Sequence, residues 1–304
     1  MLSDRPDWNS DGRDWPNRAA SRFVDAGRLR FHVQQMGEGP ALVLIHGTGA
    51  ATHSWRGLMP ILARDFSVTA FDLPGHGFTT GRPLGGLSMA GISGALGALL
   101  DTLKVAPEVV VGHSAGAAIA ARMVLDGRVT PAAMIGLNTA LMPFPGLAAR
   151  IFPALAKLLF VNPFAPHIFA RIAGQSGEVG RFLQRSTGSR IDDVGVDCYA
   201  RLFRRAGHCA GAISMMAEWD LDALFADLPR LDLPVLLLHG ADDAAVPLSG
   251  VEKAAAQIGD VPVEVWPGLG HLAHEEAPDL AARAITAFAA RHGVAGHSEQ
   301  GALP

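Results

Sequence analysis

Gly112-His113-Ser114-Ala115-Gly116 stands where the apolar run Val109-Val110-Val111 gives way to an alanine-rich stretch, Ala115–Leu125. The pentapeptide reads G-x-S-x-G between a predicted strand and a predicted helix, the setting of a nucleophile elbow. A tight strand-to-helix turn lifts one side chain clear of the backbone. Small residues beside it let strand and helix approach without collision. The helix N-terminus behind the turn offers backbone N–H groups to a developing negative charge. In a chain with 35 glycines the pentapeptide alone is a modest signal. Its place between strand and helix is what gives it weight.

A serine hydroxyl is a weak nucleophile at neutral pH and needs a base, which needs a carboxylate to hold its tautomer. The chain order expected behind an elbow is Ser, then Asp or Glu, then His. The acid falls in Ala241-Asp242-Asp243-Ala244-Ala245-Val246, just after the apolar Leu236-Leu237-Leu238. Asp243, three residues before Val246, is the favoured carboxylate, and Asp242 competes as a turn or supporting residue. The base is His271 in Gly268-Leu269-Gly270-His271, after a strand ending at Trp266. The separation, 271 − 243 = 28 residues, leaves room for one helix and one strand. Both groups then reach one sheet edge.

An oxyanion hole needs two N–H donors. Ala115 supplies one, as the residue after the nucleophile. Thr48 supplies the other, from His46-Gly47-Thr48-Gly49 behind the apolar run Ala41–Ile45. His46 precedes the serine, so it reads as a brace for that loop rather than as the base. His113 and His76 read as structural. Glu275 and Glu276 are expected to begin the last helix, where acidic residues suit the dipole.

Around these motifs strands alternate with helices. Strands are predicted at 28–35, 41–45, 68–71, 108–111, 134–137, 234–239 and 262–266, and helices at 54–63, 89–103, 115–125, 249–258 and 278–292. That rhythm implies an α/β fold with a mostly parallel central sheet and helices on both faces. Residues 1–24 read as an irregular arm, which Trp8 and Trp15 either pack onto the body or offer to a partner. Residues 25–139 and 217–292 form the core. Residues 140–216 break the rhythm and are expected to form a helical lid over the sheet's carboxyl edge, where open α/β sheets bind ligands. Residues 293–304 form a frayed tail.

Composition excludes several classes. With 49% hydrophobic and 18% charged residues the 304-residue chain is expected to bury a sizeable core. A net charge of −4 makes no case for nucleic acid. The two cysteines, Cys198 and Cys209, are too few for a disulfide framework and lack metal-site spacing. No leader-like or membrane-spanning apolar run is seen, so a cytoplasmic location is expected. No P-loop, Cys/His metal site or G-x-G-x-x-G is present, and neither cofactor nor metal is inferred.

Taken together, these motifs resemble the α/β-hydrolase superfamily over about residues 25–292. Asp72-Leu73-Pro74-Gly75-His76-Gly77 and the Glu276 and Pro278 that follow His271 complete the likeness. The resemblance implies a Ser114–His271–Asp243 triad. Ser114 stands where epoxide hydrolases and haloalkane dehalogenases carry Asp, which points toward cleavage of esters, thioesters or carbon–carbon bonds. A narrower likeness rests on segments that carry no catalysis: Asp4-Arg5-Pro6-Asp7-Trp8, Asp14-Trp15-Pro16-Asn17-Arg18, Gly47-Thr48-Gly49-Ala50-Ala51-Thr52-His53-Ser54-Trp55 and Met215-Met216-Ala217-Glu218-Trp219-Asp220-Leu221. These are similar to the magnesium-chelatase accessory proteins of bacteriochlorophyll biosynthesis. The likeness implies assistance to magnesium insertion into protoporphyrin IX and contact with chelatase subunits, through catalysis or through a non-catalytic porphyrin-binding or chaperone role.

The lid's composition bears on that. Residues 141–216 carry nine Lys and Arg against four Asp and Glu, a net +5 that leaves −9 for the rest of the chain. They are also rich in large apolar residues, among them Phe144, Ile151, Phe152, Leu155, Leu158, Leu159, Phe160, Phe164 and Phe182. Apolar surface with arginine forks suits a small hydrophobic carboxylate or ester, such as protoporphyrin IX or its magnesium form, because Arg pairs bidentately with carboxylates. Arg181, Arg185, Arg201 and Arg204 are the expected substrate-binding residues. A lid core with a solvated basic face, or association with a membrane surface, would draw on the same composition.

Overall fold

The computed structural model describes residues 4–143, 164–173 and 177–295. Expectations placed on Phe144, Arg150, Ile151, Phe152, Leu155, Lys157, Leu158, Leu159 and Phe160, and on the tail beyond residue 295, lie outside the described residues.

Its strands are β1 (Ser21–Ala26), β2 (Leu29–Met36), β3 (Ala41–Ile45), β4 (Ser67–Phe71), β5 (Thr80–Gly81), β6 (Val109–His113), β7 (Ala133–Leu137), β8 (Val235–Gly240) and β9 (Val263–Trp266). They form one sheet in the order β1-β2-β4-β3-β6-β7-β8-β9, with β5 beside β2. β1, β2, β4 and β5 make the antiparallel pairs, and every pairing from β4 to β9 is parallel. The helices are α1 (Leu58–Leu62), α2 (Met89–Leu103), α3 (Ala115–Leu125), α4 (Ala165–Ala173), α5 (Glu178–Thr187), α6 (Asp193–Phe203), α7 (Ala206–Glu218), α8 (Leu221–Asp227), α9 (Leu248–Ile258), α10 (Ala273–Glu276) and α11 (Pro278–Arg291). This is the α/β architecture expected from the sequence.

The central strands read as unbroken apolar runs because helices cover both faces. Val43, Ile45, Val110, Met134 and Leu237 pack under α2, α3 and α9. Leu42, Leu44, Val111, Ile135 and Leu238 point the other way, toward α1 and α11. Alternation along each strand sends successive side chains into the two cores.

Register aligns the carboxyl ends. Ile45 sits opposite Gly112, His113 opposite Leu137, Leu137 opposite Leu238, and Gly240 opposite Trp266. The segments after β3, β6, β7, β8 and β9 therefore leave the sheet side by side. These are the segments that carry Thr48, Ser114, Asn138, Asp243 and His271.

Three local expectations differ from what is observed; one is that Glu275 and Glu276 close the short α10 instead of beginning the last helix, which starts at Pro278. The predicted helix 54–63 is split into a 3₁₀ turn (Thr52–Trp55) and the short α1. Gly57 between them lies against Pro278, where an added Cβ would come within 3.1 Å of the ring. The predicted arm also holds β1, whose burial follows no clean alternation, so the sequence gives little strand signal there. The rest of the arm is pinned by its tryptophans. Trp15 is buried and its indole N–H donates to Thr52 Oγ1 at 3.0 Å. Trp8 packs edge-on against Phe23 and Phe78.

Within residues 140–216, the segment expected to form the lid, the described helices are α4 to α7. The acidic arm binds its basic helices: Arg201 pairs with Asp14, and Arg205 reaches Asp11 at 2.8 Å and Asp4 at 3.1 Å. No helix among the described residues is long and apolar enough to cross a membrane.

Candidate active site

The elbow geometry follows from its small residues. Ser114 has φ 51° and ψ −118°, a left-handed conformation rare for a side-chain-bearing residue. Its N–H donates to Leu137 O at 2.9 Å, and its carbonyl accepts from Ala117 at 3.1 Å. A Cβ on Gly112 would lie 2.5 Å from the Ala117 backbone, and one on Gly116 would lie 2.0 Å from Ile45 O. Only glycine lets α3 start this close to β3 and β6. Across the turn, an added Cβ on Gly47 would lie 3.0 Å from Ser114 Cβ, so the loop carrying Thr48 sits against Ser114. Ala115 is buried at the start of α3. Thr48 turns its hydroxyl to Met215 Sδ at 3.9 Å.

Asp243 and His271 meet in the structure. His271 Nδ1 lies 2.8 Å from Asp243 Oδ2. The carboxylate is fully buried, and it also accepts from the Asn138 amide at 2.9 Å and from the N–H groups of Ala245 and Val246 at 2.7 and 2.9 Å. Burial pushes the Asp243 carboxyl up. The bond and charge of His271, the Val246 N–H and the Asn138 amide outweigh it and hold the group below its usual range. An ionised Asp243 only accepts, so His271 carries its proton on Nδ1 and presents Nε2 as the basic nitrogen. Asp242 is exposed in the turn and anchors the loop through its N–H to Leu269 O at 2.9 Å.

The other histidines brace these loops. His46 receives the Leu73 N–H on Nε2 at 2.9 Å, and its Nδ1 lies 2.8 Å from Gly47 O. His113 lies 2.9 Å through Nε2 from His271 O, with ring centroids 4.8 Å apart. Burial above all pushes His113 down to about 3, so it stays neutral as a donor. Sequence reasoning missed Asn138. The only cue was its place at the end of a predicted strand, β7, which the sheet sets between the elbow strand β6 and the acid strand β8.

The lid arginines are placed differently from one another. Arg181, Arg185 and Arg204 are exposed, and Arg181 pairs with Glu178 at 2.5 Å. Arg201 is taken up by Asp14, Asp197 and the Asp11 carbonyl. Among the described residues no group of three or more His, Cys, Asp or Glu side chains is arranged to hold a metal ion. Cys198 and Cys209 are buried free thiols, and burial pushes both up to about 12, which leaves them unreactive at neutral pH.

Residues 42–284, which span the elbow, the acid and the base, match the family model described as the alpha/beta hydrolase family. The chain belongs to the alpha/beta hydrolase family. Among curated relatives of this alpha/beta hydrolase, the magnesium-chelatase 30 kDa subunit of Rhodobacter capsulatus is 36% identical over 268 residues, covering 88% of this chain and 93% of that protein. A 2-(acetamidomethylene)succinate hydrolase of Mesorhizobium japonicum is 25% identical over 88% of this chain and 94% of its own length. Among solved structures, a putative lipase from Acinetobacter baumannii superposes with a TM-score of 0.77 at 17% identity, over 94% of this chain and 97% of that one. That last likeness speaks to the fold.

Proposed function

We propose that this protein is a serine hydrolase of the carboxylic-ester type that acts in bacteriochlorophyll biosynthesis as an accessory to magnesium chelatase. The observation that carries the hydrolase reading is the His271–Asp243 bond of 2.8 Å beside the strained Ser114 turn. Similarity to the magnesium-chelatase 30 kDa subunit of Rhodobacter capsulatus supports the pathway.

In the mechanism, Ser114 Oγ attacks the ester carbonyl while His271 Nε2 takes its proton. Asp243 stabilises the imidazolium through Nδ1. The N–H groups of Thr48 and Ala115 receive the oxyanion. His271 then protonates the leaving alcohol, and the acyl-enzyme forms. Water, deprotonated by His271, releases the carboxylic acid and restores Ser114. The substrate of this step is a small hydrophobic ester, whereas an anionic tetrapyrrole such as protoporphyrin IX or its magnesium form, which carries carboxylates and no ester, enters as a bound ligand. Because Arg201 is held by the arm, carboxylate recognition rests on Arg181, Arg185 and Arg204. A second reading, a non-catalytic porphyrin-binding or chaperone role, draws on the same relative, which is itself named as a chelatase subunit.

Ser114→Ala, assayed both for hydrolysis of short activated esters and for pigment formation in cells, separates the two. Loss of both places the chemistry in the pathway. Loss of hydrolysis with normal pigment leaves the accessory role without catalysis. Titration with protoporphyrin IX tests the ligand class: weaker binding after Arg181→Ala or Arg185→Ala is expected, and no saturable binding by the unaltered protein would sink it.

A further inference from the structure

The lid is bonded to both catalytic loops at one point. After α5 the chain runs Thr187-Gly188-Ser189-Arg190. The N–H groups of His271 and Ala244 both donate to Thr187 O, at 2.8 and 3.3 Å. Leu272 N–H donates to Ser189 Oγ at 2.8 Å, and that hydroxyl donates to Glu276 Oε2 at 2.8 Å. Glu276 then accepts from Gly270 N–H on Oε2 and from Arg190 N–H on Oε1, each at 2.8 Å. Three consecutive N–H groups of the base loop therefore end on the lid loop or on the carboxylate it shares.

Packing gives an independent sign of the same join. A Cβ on Gly188 would lie 2.0 Å from Asp242 O, and one on Gly270 would lie 2.5 Å from Ser189 N and Oγ. Gly188 also has φ 73°, which frees the chain to turn there out of α5. At these two glycines the backbones of the lid, acid and base loops come into direct contact.

We infer that Ser189 and Glu276 are positioning residues that make the lid loop part of the active site, so that docking of α5 and alignment of His271 are one event. The inference rests on the hydrolase reading above. A base must be held to within about 0.5 Å of its productive place, and here its own N–H and both neighbouring N–H groups are held by this clasp. Lifting the end of α5 off the core breaks the bond to His271 N–H. α5 also carries Arg181 and Arg185, so a ligand that contacts that helix acts on the base through a continuous helix and one loop.

The test is the rate at which a fluorophosphonate probe labels the serine, with ester kinetics and thermal melts on the same samples. The unaltered protein is expected to label at Ser114 and Ser114→Ala not at all. Ser189→Ala and Glu276→Gln are expected to label about 10- to 100-fold more slowly, with kcat lowered by the same factor and KM changed by less than about 2-fold. The double variant should lose little beyond the worse single one, since both act through one clasp. Folded variants that label at the unaltered rate would overturn the clasp while Ser114 labelling upholds the hydrolase. A fall in melting temperature with kcat and labelling unmoved also overturns it, as a merely structural role. Should Ser189→Ala fail to fold, Glu276→Gln carries the same comparison. No labelling of the unaltered protein removes the hydrolase reading and the clasp with it.

Discussion

Among the described residues two histidines, His271 and His32, are bonded through Nδ1 to a buried aspartate, and their surroundings set them apart. His271 meets Asp243 at 2.8 Å, and its carbonyl lies 2.9 Å from Nε2 of His113, the residue before Ser114. His32 meets Asp72 at 2.9 Å, and Ser21 Oγ lies 3.0 Å from its Nε2. By residue type and distance the second set is also a Ser–His–Asp chain. Its surroundings differ. His32 and Asp72 are fully buried, with the Trp8 ring 4.7 Å from His32. Gln34 donates to Ser21 Oγ at 3.1 Å, and Asp72 Oδ1 and Oδ2 accept the N–H groups of Thr52 and Phe78. The set ties the arm and the first hairpin to the loop behind Thr48. A triad is recognised by access and by oxyanion donors as much as by its three side chains.

The sharpest break of this comparison is kinetic. Ser114→Ala is expected to lower kcat on activated esters by about 10⁶-fold, to background, while Ser21→Ala stays within about 3-fold of the unaltered protein. Equal losses from the two serines would erase the distinction. The aspartates come next. Asp243→Asn should cost about 10⁴-fold in kcat through the wrong His271 tautomer. Asp72→Asn should instead cost about 3–5 kcal/mol of stability in urea melts, because it strips a buried network of its charge.

The smallest effect per group, though summed over several, is in pH. Six fully buried histidines, His46, His53, His76, His113, His208 and His274, are held below their usual value, in each case chiefly by burial. Unfolded, each takes up a proton near pH ~6.5 that the folded state resists, so stability falls as pH drops below that value, by up to about 1.4 kcal/mol per pH unit for each group. Asp72 and Asp243 are both depressed, so what they contribute is present above the usual carboxylate pKa and is lost only in stronger acid. Urea melts from about pH 8 to about pH 5 should therefore show a steep loss, opposed in part by Glu275, whose carboxyl burial holds above its usual value. A flat profile over that window would contradict the neutral histidines.

Much of the active edge was legible because its motifs are local. Ser114, Asp243 and His271 each follow an apolar strand within a few residues, and the parallel register of β6, β8 and β9 does the rest. His32 was not legible as part of a network. It occupies the polar phase of the 28–35 alternation, and it is buried only because β1 and Trp8 close over it. Arg201 illustrates the same limit from the other side. Its basic, apolar neighbourhood suggests a ligand, whereas its partner Asp14 lies 187 residues away in sequence.

The sequence by itself determined the α/β alternation, the elbow and the chain order of Ser114, Asp243 and His271, since each depends on residues within one strand, turn or helix. Only the tertiary structure decided which carboxylates the arginines meet, which of two histidine–aspartate pairs faces the edge, and that the lid loop grips His271. Those are contacts between segments far apart in the chain, set by strand order and close packing, and no local pattern of residues encodes them.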